Sequence, residues 1–234
     1  MGKDKRKLFF IQYLRAIAAV MVVFHHARNP QPWLFNPLKN YESLAWGVDI
    51  FFVISGFVMY IAAKNEIPSE FLKNRIIRIV PMYWFWTFAL VAISTKFQPW
   101  SMQPYQITHL VKSLLFIPHY SPVFEGQIWP YLIPGWTLNY EMFFYAIFFT
   151  GLILNRVIVT TTSIILILIF SGFAIESKDA LLKTYTDPII FEFLGGILIA
   201  HFYEKKRIQK YASILAPIGF SVLLTLPFFS VKTC

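Results

Sequence analysis

Long apolar stretches separated by short polar loops run along almost the whole chain. Each of the seven longest extends over about 16–20 residues, which at about 1.5 Å of rise per residue approaches or matches the thickness of a bilayer core. The pattern predicts an all-α fold, a polytopic membrane helix bundle. The predicted helices are 8–27, 45–63, 79–95, 136–154, 157–175, 188–203 and 211–230. Prolines interrupt the outer stretch 96–135, where the segment 107–117 is too short to span.

Composition supports a single membrane domain over residues 1–234. The chain is 57% hydrophobic and 14% charged, with a mean hydropathy of +0.56, and a soluble domain of this length could not cover so much apolar surface. Cys234 is the single cysteine, which rules out a disulfide within the chain and a cysteine-based metal site. We expect no metal ion and no permanently bound cofactor.

The formal net charge of +9 first suggests a nucleic-acid partner, but the positions of the charges point elsewhere. Basic residues concentrate in alternate loops, as expected for cytoplasmic loops, so the N-terminus is predicted to be cytoplasmic and no nucleic acid is expected. Thirteen basic residues fall on the predicted inside, namely Lys3, Lys5, Arg6, Lys7, Lys64, Lys73, Arg75, Arg78, Arg156, Lys205, Lys206, Arg207 and Lys210. Seven fall on the predicted outside, namely Arg28, Lys39, Lys96, Lys112, Lys178, Lys183 and Lys232.

The first predicted helix carries an arginine and two histidines inside an apolar stretch. Ionisable groups are costly there, and their default interpretation is functional. Arg15 and His26 are eleven residues apart, so they project from one helix face, about 16 Å apart along the axis. His25 points about 80° away from Arg15. The alternative is an ordinary interfacial histidine.

Two arginines lie just before the third predicted helix, in the inside loop FLKNRIIRIVP. Arg75 and Arg78 share a face if this stretch is helical. Guanidinium groups bind phosphates bidentately, so the pair suits a soluble phosphate-bearing cosubstrate. Anchoring of the loop or contact with lipid headgroups is the alternative.

Two carboxylates within predicted helices are further candidates. Glu141 lies one to two turns inside the fourth helix, with Tyr145 four residues later on the same face. Asp49 lies near the outer end of the second helix, at the depth of His26, where it could hydrogen-bond an imidazole and fix its tautomer.

Small residues accompany the carboxylates in two helices. Ser55 and Gly56 in the second helix are interpreted as a close-packing site, and so are Gly195 and Gly196 in the sixth. Glu192, one turn before these glycines, has no assigned role at this stage.

Four segments in this order resemble the membrane acyltransferase-3 family. They are LRAIAAVMVVFHHA, GVDIFFVISGF, RIIRIVPMYW and PGWTLNYEMFFY, which together cover roughly residues 8–150. Within the family the chain looks most similar to the exopolysaccharide O-acetyltransferases of the succinoglycan type. The resemblance implies a multi-pass enzyme of the bacterial inner membrane that takes an acyl group from cytoplasmic acyl-CoA, here acetyl-CoA, to a sugar hydroxyl.

The resemblance also implies roles for individual residues. Arg15 and His26 match the essential arginine and histidine of the family, and Arg75 and Arg78 match its R-x-x-R loop for CoA. Glu141 matches the acidic residue of its W-x-L-x-x-E block. Members usually have about ten membrane helices, so we expect this chain to be truncated at its C-terminus.

Residues and resemblance together suggest one mechanism. CoA phosphates bind Arg75 and Arg78, and His26 acts as general base on a hydroxyl of a glycan or lipid-linked sugar. Glu141 or Asp49 orients the imidazole, and Arg15 either lines the path of the pantetheine arm or stabilises the oxyanion.

Three alternatives stay open. The first is a covalent acyl-enzyme, for which Ser55 is a weak nucleophile candidate. The second is a proton-coupled transporter, because ionisable residues within helices also form proton relays. The third is an inactive partner of a polysaccharide assembly complex.

Overall fold

The computed structural model describes residues 2–27, 42–97, 107–175 and 177–205, and these residues form helices and connecting turns without any strand. The all-α prediction is therefore confirmed. The helices are α1 (Gly2–Ala27), α2 (Gly47–Ala63), α3 (Pro68–Phe97), α4 (Ile107–Leu114), α5 (Trp136–Ile153), α6 (Val157–Ala174), α7 (Ala180–Tyr185) and α8 (Ile190–Glu204). Short 3-10 turns, Glu42–Trp46 and Ile133–Gly135, lead into α2 and α5.

Four of the described helices are long and apolar enough to cross a membrane. They contain the spans Phe9–Ala27, Leu44–Ala63, Pro68–Ser94 and Val157–Ala174. Two further predicted helices are present as the shorter α5 and α8. The predicted helix 211–230 lies outside the described residues, so the count of seven spans remains a prediction.

The start of α3 differs from the sequence-based prediction. The helix was expected to begin near Ile79 with Pro81 in its first turn, but it begins at Pro68, and Pro81 lies inside it. Pro68 suits a first helical position, since its missing N–H has no partner there in any case. The polar residues that follow, such as Glu70 and Lys73, are good helix formers. Hydropathy marks only the apolar part of a helix that begins earlier.

The chain divides into two compact units, and the first contains residues 1–61 and 191–234. Its described helices are α1, α2 and most of α8. The backbones of α1 and α2 approach closely at Gly47, where an added Cβ would lie 2.6 Å from the carbonyl oxygen of Ala18. Ala18 is fully buried, so the packed face of α1 centres on this residue.

The second unit, residues 62–190, contains α3 to α7. Helices α3 and α5 are antiparallel, because Phe71 contacts Phe148 (ring centroids 5.2 Å apart) near the end of α5, while Tyr83, further along α3, lies against Gly135 just before the start of α5. A tight turn with Asn155 in the left-handed region (φ +52°) joins α5 to α6. The predicted outer loop 176–187 contains the short helix α7, whose first N–H groups bind the side chain of Asp179.

Large apolar side chains cover the outward faces of the long helices. Phe10 on α1, Phe85 on α3 and Phe173 on α6 are 67%, 62% and 78% exposed. Such surface would be costly in water, and it matches the lipid-facing side of membrane helices.

Candidate functional site

The histidine–arginine face of the first helix is part of an unbroken helix. α1 runs from Gly2 to Ala27, which is the condition for Arg15 and His26 to project in nearly one direction. Arg15 is half-buried and His26 is exposed. His25 is half-buried and projects only about 20° from Ala18, the centre of the packed face. Arg15 and His26 thus lie toward one edge of the packed face.

The hydrogen bond of His26 fixes its tautomer. Its Nδ1–H donates to the carbonyl oxygen of Val22 at 2.8 Å. A carbonyl oxygen can only accept, so Nδ1 carries the proton and Nε2 of the neutral ring keeps its lone pair. The imidazole therefore presents an accepting nitrogen, which is the state that a general base requires.

Asp49 has a partner that the sequence did not predict. Its carboxyl group shares a hydrogen bond with Glu192 of α8, whereas the backbone of α1 orients the imidazole of His26. The described contacts thus pair Asp49 with Glu192, and the orientation of the His26 imidazole by Asp49 stays a prediction. Two carboxyl groups can share a hydrogen bond only if one of them carries a proton.

Glycines allow the close approach that brings these two carboxyl groups together. A Cβ added at Gly196 would lie 2.0 Å from the carbonyl oxygen of Val53, and one added at Gly56 would lie 2.1 Å from that of Phe193. The backbones of α2 and α8 are thus in direct contact one to two turns after Asp49 and Glu192. The interpretation of Gly56 and Gly196 as packing residues is confirmed, whereas Gly195 has nothing within 4 Å of an added Cβ.

The second unit contains a cluster of side chains between α3 and α5, called the Arg75 cluster, which consists of Phe71, Arg75, Arg78, Glu141 and Tyr145. The hydroxyl of Tyr145 donates to Oε1 of Glu141. The guanidinium carbon of Arg75 lies 5.8 Å from the ring centroid of Tyr145 and 5.3 Å from that of Phe71. Aromatic rings at this distance attract a cation. The structure thus brings Glu141 and Arg75 into one network through Tyr145, which the sequence had paired only with Glu141.

The two arginines of the R-x-x-R segment lie on α3 itself, not in a loop. Nε of Arg75 is buried and, within the part of the chain that the structure describes, makes no hydrogen bond. Arg78 is exposed, and the electrostatic influence of both arginines reaches the hydroxyl of Tyr145. The cluster therefore combines an exposed cation with a partly buried one that retains free donor capacity.

Two hydrogen-bonded side-chain pairs are functional candidates that the sequence did not predict. His109 and His119 hydrogen-bond to each other (2.6 Å) on the predicted outer side, and the only signal was two histidines ten residues apart in a largely apolar segment. Tyr60 and His201 likewise hydrogen-bond at 2.9 Å between α2 and α8. Among the described residues, no group of three or more metal-ligating side chains occurs.

Comparison with known proteins adds the family. Residues 8–233 match a family described as an acyltransferase domain. The chain belongs to this acyltransferase family. The matched range includes Arg15, His26, Asp49, Glu141 and the arginines of α3. The family match and the long apolar helices together indicate a membrane protein. The resemblance read from the four sequence motifs is confirmed.

One relative is named for exopolysaccharide production. The chain is 37% identical over 202 residues to the exopolysaccharide production protein ExoZ of Rhizobium meliloti (strain 1021). The alignment covers 81% of this chain and 62% of that relative, so the chain spans less than two thirds of the relative's length. No solved structure shows a significant match.

Proposed function

We propose that this protein is an integral membrane O-acyltransferase. It moves an acyl group, most simply acetyl, from cytoplasmic acyl-CoA to a hydroxyl of an exopolysaccharide or another cell-surface glycan. The family match and the relative named for exopolysaccharide production support the reaction class. Apolar helices and the distribution of basic residues support a multi-pass location in a bacterial inner membrane.

The Arg75 cluster carries the assignment of the donor. CoA bears phosphates, and guanidinium groups bind phosphates through charge-assisted, bidentate hydrogen bonds. Arg75 is held over two aromatic rings and has an Nε without a hydrogen-bond partner among the described residues. Arg78, one turn further along the same helix, is exposed to a ligand. This pre-positioned pair binds the phosphates of acyl-CoA.

His26 supplies the base. Because Nδ1–H is engaged by Val22, Nε2 accepts the proton of the acceptor hydroxyl as its oxygen attacks the thioester carbonyl. The tetrahedral intermediate then collapses, the carbon–sulfur bond breaks, and the imidazolium returns the proton to the departing thiolate. Arg15 lies about 16 Å from His26 along the helix axis and lines the path of the pantetheine arm toward the thioester.

The carboxyl groups have supporting roles in this proposal. Glu141 accepts from Tyr145 and so holds the ring over which Arg75 lies. Asp49 and Glu192 hold one proton between them, which keeps two acidic side chains in apolar helices without a pair of negative charges. The same pair is what a proton-coupled carrier would use, so transport is the rival function.

Acyl transfer is tested with the complete chain in nanodiscs. Labelled acetyl-CoA is supplied with polysaccharide from a strain that lacks its own O-acetyltransferase, and O-acetyl groups are measured on the product. The same strain is also complemented with the chain in vivo. Transfer that is lost in Arg75→Ala/Arg78→Ala and kept in the exposed control Arg156→Ala supports the proposal. Proton-driven solute flux without any acetyl transfer refutes it.

A further inference from the structure

A cleft of about 470 Å³ opens in the second unit, and its lining includes none of Phe71, Arg75, Arg78, Glu141 and Tyr145. Its walls are α4, the segment 117–122 and the start of α7, which the distribution of basic residues places on the outer side. Its volume falls within the range typical of small-molecule sites. The lining residues on which the argument depends are His109, Lys112, His119, Tyr120, Lys178 and Asp179.

Hydrogen bonds hold the walls of this outer cleft in place. Oγ of Ser113 donates to the carbonyl oxygen of His109 at 2.7 Å and accepts the backbone N–H of Tyr131 at 2.8 Å. The indole of Trp84 on α3 donates to the carbonyl oxygen of Leu114 at 2.9 Å. The concavity is thus preformed, which spares a ligand the cost of ordering it.

The buried histidine pair lines the cleft and contains one accepting nitrogen. His119 donates from Nδ1 to the carbonyl oxygen of Ile117 (2.7 Å), so its Nε2 accepts from Nδ1–H of His109. Nε2 of His109 then keeps its lone pair. Burial lowers the pKa of His109 to about 4, helped by the neighbouring His119. Both rings are neutral at physiological pH, and His109 suits a hydroxyl donor rather than an anion.

Cations line the same cleft. Lys112 projects from α4 and Lys178 from the segment before α7, and both are exposed. Among the described residues that line the cleft, the one carboxylate is Asp179, which already accepts from the backbone N–H groups of Leu181 and Leu182. Tyr120 adds an aromatic face that is 40% exposed. The cleft thus offers two ammonium groups, a hydroxyl acceptor and an apolar ring.

We propose that the outer cleft binds an acidic saccharide, the acceptor glycan of the reaction. A carboxylate or phosphate on the sugar contacts Lys112 and Lys178, a sugar hydroxyl donates to Nε2 of His109, and the ring of Tyr120 packs on the apolar face of a sugar. This inference rests on the proposed function, since it names the class of the acceptor. It predicts that the enzyme selects charged over neutral glycans.

Binding measurements test the cleft. The complete chain is placed in phosphatidylcholine nanodiscs, and calorimetry compares a glucuronate-containing tetrasaccharide with a neutral glucose tetrasaccharide at about 0.15 M salt. The variant Lys112→Gln/Lys178→Gln should lose about tenfold in affinity for the acidic sugar and little for the neutral one. Lys183→Gln is the matched control, because this lysine is exposed on α7 but does not line the cleft.

A second variant separates the hydroxyl acceptor from the charge. His109→Asn keeps a donor for His119, but its shorter side chain places no acceptor at the position of Nε2, so it should weaken the binding of both sugars. Equal affinity of the wild-type chain for the two sugars, or an unchanged acidic-sugar affinity in the lysine variant, overturns the proposal. So does a lysine variant that only loses phosphatidylglycerol from mixed nanodiscs, since the cleft would then bind a lipid headgroup.

Acyl-CoA binding, measured on the same samples, keeps this test independent of the proposed function. The lysine variant should bind acyl-CoA as the wild-type chain does, because neither lysine belongs to the Arg75 cluster. If the wild-type chain does not bind acyl-CoA, the proposed donor is wrong. If the variants bind sugar as the wild type does, only the proposed role of the cleft is wrong.

Discussion

The adjacent histidines His25 and His26 on α1 differ in direction and in exposure. His26 shares its direction with Arg15, is exposed, and has a tautomer set by Val22. We expect His26→Ala to lower acyl transfer by roughly 10²–10⁴-fold, the usual contribution of a general base. His25→Ala should cost at most a few-fold, through altered packing. Initial rates of transfer, normalised to protein in the membrane, provide the comparison.

The histidine pair of α1 also provides its own control. Both changes lie at the end of one helix and should leave the amount of membrane-inserted protein unchanged. An equal loss in both variants, or a greater loss at His25, would place the catalytic face on the packed side of α1, toward Ala18, and would contradict the assignment of His26.

The second prediction concerns the affinity of Arg75 and Arg78 on α3 for acyl-CoA. Arg75→Ala/Arg78→Ala should weaken acyl-CoA binding about 100-fold, because each hydrogen bond to a charged group contributes roughly 1.5–3 kcal/mol. Arg75→Lys/Arg78→Lys should lose about tenfold, since an ammonium keeps the charge but not the bidentate geometry. Dissociation constants for acyl-CoA measure both. Affinity equal to the wild type in the alanine variant would leave the pair as a membrane anchor only.

The outer histidine pair makes the stability of the second unit depend on pH. Burial lowers the pKa of His109 to about 4 in the folded chain and also lowers the pKa of His119, so the unfolded chain binds more protons between about pH 6.5 and 4. Stability should therefore be complete above about pH 6.5 and fall as the pH drops toward 4. Thermal melting of the wild type and of His109→Asn across this range measures the effect, and parallel pH profiles would contradict it.

At the scale of elements, the contact between α2 and α8 depends on two glycines. Gly196→Ala places a Cβ about 2.0 Å from the carbonyl oxygen of Val53, and a backbone atom cannot move aside as a side chain can. Overpacking of this kind typically costs 1–3 kcal/mol. Gly195→Ala is the matched control, because an added Cβ there meets nothing within 4 Å and alanine favours a helix by roughly 0.5–1 kcal/mol.

The expected readout at these glycines is the melting temperature in detergent. Gly196→Ala should lower it, and Gly195→Ala should leave it unchanged or raise it slightly. The reverse order would show that the two helices do not approach as closely as the structure describes.

Hydropathy predicted the bounds of α5 and α6 but not the start of α3. The bounds of α5 and α6 lie within one residue of the prediction, because an apolar run ends there at polar turn residues, Asn155 and Arg156. α3 begins eleven residues before the predicted start at Ile79, since its first turns lie outside the apolar run. The pattern of apolar residues indicates which part of a helix is buried or contacts lipid. It does not indicate where the backbone hydrogen bonds of the helix begin.

At the scale of the whole molecule, candidate residues were predictable but their partners were not. The sequence singled out Asp49 and Glu141 as costly carboxylates within helices, and both lie in specific hydrogen bonds. The identity of Glu192 as partner of Asp49 depends on a contact between helices more than 140 residues apart in sequence. A single sequence carries no direct signal for such a pairing. Tyr145 was found because its partner lies on the same helix.

Helix directions within each unit are those that alternate crossings require, while the orientation predicted from charge stays a prediction. In the first unit α2 and α8 are parallel, because Asp49 pairs with Glu192 and, further along both helices, Tyr60 pairs with His201. The predicted topology has both helices running inward. In the second unit α3 and α5 are antiparallel, as expected for an outward helix followed by an inward one.

Cysteine accessibility tests this orientation across the whole molecule. In a Cys234→Ser background, cysteines at Lys178 and Thr233 should react with a membrane-impermeant maleimide in intact cells, whereas cysteines at Lys3 and Lys205 should react only after permeabilisation. The position of Thr233 lies outside the described residues and tests the predicted seventh crossing. Labelling of Lys3 and Thr233 from the same side would remove one crossing. Labelling of Lys178 only from the inside would be more serious, because it would place the cleft of Lys112 and Lys178 on the cytoplasmic face, where an outer glycan could not reach it.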